Sequence, residues 1–297
     1  MFREGLGETT EFAGYHPIVN LIYFAFAIGI TMFSMDPIFL AITFVMSWVY
    51  SLLLGGKKQA KFNLFIMIPM VVFMAVINAL VSHNGATVLF YINTNRITVE
   101  SFVFGIAAAV MLTAVIIWFS CFNVIMTSDK FIYLFGKVAP VLGLTLSMIF
   151  RFIPLLKSRF KEISMGQKCM GREASGLIGK IRQFFKEVSI LISWSLEASI
   201  ETSDSMEARG YGLRGRTSFH LFKMTGKDYR MLAALGVTGG ISTIGCIMDK
   251  TDMYYFPEII LRAPDLFTVI VMISYIIMLA LPIIIDMEGE RKWQTSK

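Results

Sequence analysis

The sequence has little charge, little histidine and little cysteine. Asp, Glu, Lys and Arg make up 16% of its 297 residues, against about one quarter in an ordinary soluble domain. The three cysteines, Cys121, Cys169 and Cys246, offer neither a disulfide framework nor metal-ligand spacing. Three histidines, His16, His83 and His220, stand far apart and read as boundary residues with local hydrogen bonds rather than as ligands. No Gly-x-x-x-x-Gly-Lys-Ser/Thr phosphate loop occurs. The Gly210-x-Gly212-x-x-Gly215 spacing lacks the preceding strand of a dinucleotide fold and reads as a helix exit. No catalytic set presents itself, and the chain is expected not to be an enzyme and to bind no cofactor or metal directly.

What the sequence does have is apolar surface. Hydrophobic residues make up 56%, with 26 Phe and 20 Met, and the mean hydropathy is +0.66. Residues 101–128 and 266–285 carry no charge at all. Uncharged runs of about 20 residues match the ~30 Å hydrocarbon core of a bilayer. The fold expected is therefore an all-α polytopic membrane protein.

Residues 18–34 and 37–54 form the first two expected spans, with a sharp turn at Met35-Asp36. The segment 55–61 supplies three cations in a short loop, which the positive-inside rule assigns to the cytoplasm, so the N-terminus is expected there too. Residues 1–15 lack the positive start and apolar run of a cleaved signal. The third span is 62–82, with a kink expected at Pro69. An outer segment, 83–98, contains an Asn84-Gly85 turn, and 87–91 suits a short strand or a re-entrant piece. The fourth span falls in 101–126, the fifth in 231–247 and the sixth in 266–285. Gly236, Gly239, Gly240 and Gly245 in the fifth favour tight helix packing. Segment 249–265 has four acids against two cations and suits the outer side, and the tail from 286 returns inside.

The long polar block, 127–230, holds seventeen of the 27 Lys and Arg residues and nine of the 21 Asp and Glu residues. It divides the chain into 1–126, 127–230 and 231–297. Its cations are expected to face the inner membrane surface or a protein partner, not nucleic acid. The apolar run 139–150 stops at Arg151 and is short for a crossing, so 141–164 reads as an oblique helix bent at Pro154. Arg151 and Arg159 on this helix, and Arg214 and Arg216 further on, could meet lipid phosphate or a partner. Gly171 and Gly176 bracket a break, after which 177–209 reads as one long helix. Small residues Ala198, Ser199, Thr202 and Ser203 would permit close helix crossing. Arg209 would suit the helix dipole, or would present its five donors to an acidic groove on another subunit. Within the spans the main polar residues are Asn78, Trp118 and Asn123, expected to make helix-packing hydrogen bonds. Such a membrane interior lacks the buried charges of a path for charged solutes.

Several of these stretches together resemble the transmembrane scaffold subunit, the T component, of energy-coupling factor transporters. His16-Pro17 resembles that family's opening signature, and Pro69, Asn78 and the 83–90 segment resemble its third span and following loop. Leu-Ser-Met-Ile-Phe-Arg-Phe-Ile-Pro-Leu-Leu, 146–156, is similar to its Arg-Phe-x-Pro helix. The family carries two Ala-Arg-Gly-like motifs at the ends of cytoplasmic coupling helices. The second is intact as Ala208-Arg209-Gly210; the first falls in 167–171, where Met170 stands before Gly171 in place of arginine and Arg172 follows.

The resemblance implies a non-catalytic subunit of an ATP-driven importer in a bacterial plasma membrane, multi-pass, with both termini cytoplasmic. Its implied partners are two ABC ATPase subunits, expected as a heterodimer that uses ATP and Mg, and a substrate-binding membrane S component. Several S components could be exchanged on one scaffold, and the implied cargo is a vitamin or micronutrient. A dedicated cobalt or nickel scaffold, and a stand-alone channel or secondary transporter, are the competing readings.

Overall fold

The computed structural model describes residues 10–82, 85–92, 95–171, 176–211, 222–248, 251, 253–255 and 265–295. Among them the chain is helical throughout apart from one short hairpin, and it divides into two compact units. One comprises residues 1–127 with 222–297, the other 128–221.

In the first unit, a 3-10 turn (Phe12–Gly14) leads into α1 (Pro17–Phe33) and α2 (Pro37–Val81). Both helices open on a cap-proline pair, which supplies a fixed φ where no donor is needed. His16 accepts the amide of Ile18 through Nδ1 at 3.3 Å, and Asp36 accepts that of Ile38 at 2.8 Å. This is the local hydrogen bond expected of His16; His83 and His220 lie outside the described residues. The helix α2 is really two, joined where Gly56 takes φ 60°, ψ −158°, a backbone that only glycine adopts cheaply. The chain turns at the Gly-Gly pair without leaving helical pairing on either side, and Pro69 sits within the second half.

Next come β1 (Val88–Ile92) and β2 (Asn95–Thr98), an antiparallel hairpin. Of the two forms expected for 87–91, the strand is found. Then follow α3 (Val99–Ile125), α7 (Gly226–Ile247) and α8 (Leu266–Thr295), while α4 (Ser128–Val138), α5 (Pro140–Cys169) and α6 (Gly176–Ala208) belong to the second unit. Close approach of α2 and α3 depends on Gly105, where an added Cβ would stand 2.9 Å from both the Ala75 Cα and the Met74 carbonyl oxygen. In α7 two of the four glycines expected at contacts are there: Gly239 faces the Phe26 ring and Gly245 faces Val271. Gly236 and Gly240 face open space.

The core is aromatic. Trp118, fully buried, has Tyr23, Phe24 and Tyr50 at centroid distances of 6.0, 6.3 and 6.1 Å. Its indole N–H donates to Thr43 Oγ1 at 3.2 Å. Thr31 lies 2.9 Å from the same Thr43 oxygen and 3.1 Å from the Tyr275 hydroxyl. The Thr31 hydroxyl also donates to the Ala27 carbonyl at 2.6 Å, so four helices, α1, α2, α3 and α8, meet in one hydrogen-bonded cluster. Trp118 plays the helix-packing role expected from sequence, whereas Asn123 is exposed.

The N-terminal segment is fastened by two carboxylates. Asp286 accepts the Phe12 amide at 2.8 Å and the Tyr50 hydroxyl at 3.3 Å. Asp228 accepts the His16 amide at 2.9 Å and, through its other oxygen, the Thr225 amide at 2.8 Å and hydroxyl at 2.7 Å. The Thr225–Asp228 pair is a capping box that begins α7.

The second unit holds α4 (Ser128–Val138), α5 (Pro140–Cys169) and α6 (Gly176–Ala208). Gly136 and Gly143 face each other where α4 and α5 pack, and a Cβ added at Gly143 would run into the Gly136 backbone. Phe160 of α5 meets Phe184 of α6 edge to face at 5.8 Å.

Among the described residues, six stretches are long and apolar enough to cross a membrane: 37–56, 59–81, 99–125, 141–169, 226–247 and 266–291. Two expectations are corrected by this set. The first span expected, now α1, has 17 residues and falls outside the six as a shorter apolar helix; at ~1.5 Å per residue it reaches about 25 Å. The helix expected over 141–164 is found, extended to Cys169 through Pro154, but it qualifies by length and composition as a crossing rather than being too short for one. Arg151 is exposed and its neighbours are apolar on both sides, so a single cation does not interrupt the helix.

Candidate functional site

The candidate residues fall at the two ends of the long helices of the second unit. At the end of α6, the Gly210 amide donates to the Glu207 carbonyl at 2.9 Å, and that of Tyr211 to the Met206 carbonyl at 3.1 Å. With Gly210 at φ 74°, this is the paired-bond ending known as the Schellman motif. It makes Arg209 the C-cap residue, exposed, with Ala208 as the last helical residue. Glycine is required at 210 because a Cβ would strain the left-handed backbone.

The end of α5 shares the left-handed glycine and the first of these two bonds. The Gly171 amide donates to the Lys168 carbonyl at 2.9 Å, with Gly171 at φ 70°. Met170 is therefore the C-cap residue, and it is 59% exposed. Met170-Gly171 and Arg209-Gly210 thus share an exposed cap residue followed by a left-handed glycine, with different chemistry at the cap: a thioether in one, a guanidinium in the other. Arg172, Arg214 and Arg216 lie outside the described residues.

The two caps are not brought together. The 33 residues of α6 extend about 50 Å at ~1.5 Å each, with Met170 six residues before its start and Arg209 just past its end. They therefore serve separate surfaces. Arg151 is exposed. Arg159 is engaged within the unit, paired with Glu162 at 2.7 Å and stacked over the Trp194 ring with 5.0 Å to its centroid.

Between the caps, α5 and α6 leave large apolar side chains uncovered. Leu177, Ile178, Phe185, Leu196 and Ile200 are each more than 60% exposed. The small-residue stretch of α6 hides its own polarity: Ser195, Ser199 and Thr202 donate to the carbonyls of Leu191, Ser195 and Ala198 at 2.7, 2.7 and 2.6 Å. A hydroxyl bonded back to its own helix presents little unmet polarity to an apolar neighbour. Ala198 and Thr202 are half-buried, whereas Ser199 and Ser203 are exposed.

Among the described residues, no three His, Cys, Asp or Glu side chains are grouped as a metal site would require. Sequence reasoning missed the Asp228 and Asp286 tethers; the Thr-x-x-Asp spacing at 225–228 was a visible sign of the first.

These features define a multi-pass, largely α-helical membrane protein with about six candidate crossings and two long helices ending in exposed glycine-terminated caps. No protein-family model matches the chain, and no curated protein matches it.

Proposed function

We propose that the chain is the scaffold, or T component, of an energy-coupling factor importer. It transmits the motion of two ABC ATPase subunits to a separate substrate-binding membrane subunit that takes up a vitamin or micronutrient. The observation that carries this reading is the repeated helix ending: exposed cap residues, Met170 and Arg209, each followed by a left-handed glycine, at opposite ends of α6. Two separated helix ends, each closed by a left-handed glycine, suit two related partners, and a 33-residue helix between them is a stiff lever.

In this reading Arg209, flanked by Ala208 and Gly210, enters an acidic groove on one ATPase. Its planar fork can bind a carboxylate through two hydrogen bonds at once. Met170, Gly171 and Arg172 contact the other ATPase. ATP and Mg are used by those partners, and the chain itself is not catalytic. The exposed apolar face of α5 and α6 grips the substrate-binding subunit. Both helix ends and both termini then lie in the cytoplasm of a bacterial cell.

The test is assembly and uptake with the partners co-expressed. Arg209→Glu should release one ATPase and abolish uptake, and Arg209→Ala should weaken both. Assembly and uptake unchanged in both variants would refute the anchor role.

A further inference from the structure

In the first unit, a cleft of about 780 Å³ opens between the N-terminal segment, the start of α7 and the end of α8. Its polar walls carry two cations, Lys227 and Arg230, and two carboxylates, Glu11 and Glu288. Met231, Ala234 and Ile285 supply its apolar lining. Met231 and Ile285 are where the apolar runs of α7 and α8 begin and end, so the cleft sits at the level where hydrocarbon gives way to head groups. Tyr15 also lines it. Burial raises the pKa of its hydroxyl, Asp228, Glu11 and Glu288 raise it further, and Arg230 opposes them, so charges of both signs converge there.

The walls are built rather than incidental. The Asp286 bond to the Phe12 amide and the Asp228 bond to the His16 amide fix the backbone on either side of the 3-10 turn. Gly289 has no side chain where the Glu11 stem lies against α8, so a larger residue there would expel Glu11 from the cleft.

We infer that this cleft binds the head group of a phospholipid carrying a primary ammonium as well as a phosphate, that is, a phosphatidylethanolamine. Lys227 and Arg230 meet the phosphate, Glu11 and Glu288 accept hydrogen bonds from the ammonium, and the acyl chains pass Met231 and Ile285 into the bilayer. The formal charges of the four polar walls cancel, which suits a zwitterion better than an anionic lipid. A choline head group has the same net charge but no N–H to donate, so the two glutamates discriminate between the two zwitterions.

The test is native mass spectrometry of the delipidated full chain titrated with dioleoyl phosphatidylethanolamine, phosphatidylcholine or phosphatidylglycerol. Retention of the ethanolamine lipid is expected to exceed that of the other two by about tenfold, the worth of one charge-assisted hydrogen-bonded contact. Glu288→Gln and Glu11→Gln should reduce it to the choline level, and Lys227→Ala with Arg230→Ala should lower retention of all three. These side chains are solvent-facing, so an unchanged melting temperature in phosphatidylcholine serves as the folding control. Gly289→Val should act like Glu11→Gln, by displacement. Equal retention of the ethanolamine and choline lipids, stronger retention of phosphatidylglycerol, or an ethanolamine preference surviving both glutamate variants would each overturn the assignment. Full displacement by free phosphoethanolamine would overturn the lipid source.

Discussion

Asp228→Ala is the most informative single perturbation of the first unit. The carboxylate is 4% exposed and accepts three hydrogen bonds, from the His16 amide, the Thr225 amide and the Thr225 hydroxyl. Alanine removes the box that starts α7 and leaves the amide fastening the N-terminal segment without its acceptor. Hydrogen bonds to an ionised group contribute about 1.5–3 kcal/mol each and a lost cap costs about 1 kcal/mol, but the three share one acceptor and do not add. A loss of about 3 kcal/mol is the reasonable sum, or ~10²-fold in the local opening equilibrium. Because the lost bonds are local, hydrogen exchange of residues 10–19 in detergent or nanodiscs should speed up by that factor, with far less change in α3. Asp228→Asn keeps one acceptor oxygen and turns a donor toward donors on the other side, so it should give an intermediate acceleration. Exchange at 10–19 within twofold of wild type in Asp228→Ala would refute the tether.

Gly105→Ala should lower the melting temperature by several degrees, since overpacking costs about 1–3 kcal/mol and its Cβ would stand 2.9 Å from α2 backbone atoms. Gly240→Ala, with open space around it, should be neutral or stabilising by up to ~1 kcal/mol; equal effects of the two would contradict the crossing described. Lys130 is buried, and burial depresses its pKa from 10.5 to about 8. Between those values the folded chain binds fewer protons than the unfolded one, so stability should rise as pH increases from 8 toward 10.5. In Lys130→Met that rise should be smaller, as thermal unfolding across pH 7–10 would show; an undiminished rise would remove Lys130 as its source.

Much of the fold was legible in the sequence because bilayer-length apolar runs have few alternatives. The 101–128 run became α3 and the Asp36-Pro37 pair became a capped helix start, both from local chemistry alone. Gly171 and Gly210 announced helix ends because positive φ is cheap only for glycine. The helix over 141–164 was legible, but its length was not: the apolar run was measured only to Arg151, whereas the helix extends to Cys169 and so reaches crossing length. The Asp228 and Asp286 tethers join residues more than 200 positions apart, a relation that no local pattern carries. The likeness of the two caps was legible only in part. The sequence marks Ala208-Arg209-Gly210 outright and its counterpart in 167–171 only by position, since Met170 replaces the arginine; the left-handed Gly171 is what the backbone adds.

The scaffold role itself is tested most directly by ATP-driven uptake in proteoliposomes. The chain is reconstituted with its two candidate ATPases and substrate-binding subunit, and solute accumulation is measured with ATP inside or outside the lumen and with Arg209→Glu in place of wild type. The account predicts accumulation that requires ATP on the ATPase side and all four subunits, and that falls to background in Arg209→Glu. Accumulation by the purified chain alone, or uptake indifferent to ATP and to residue 209, would contradict it.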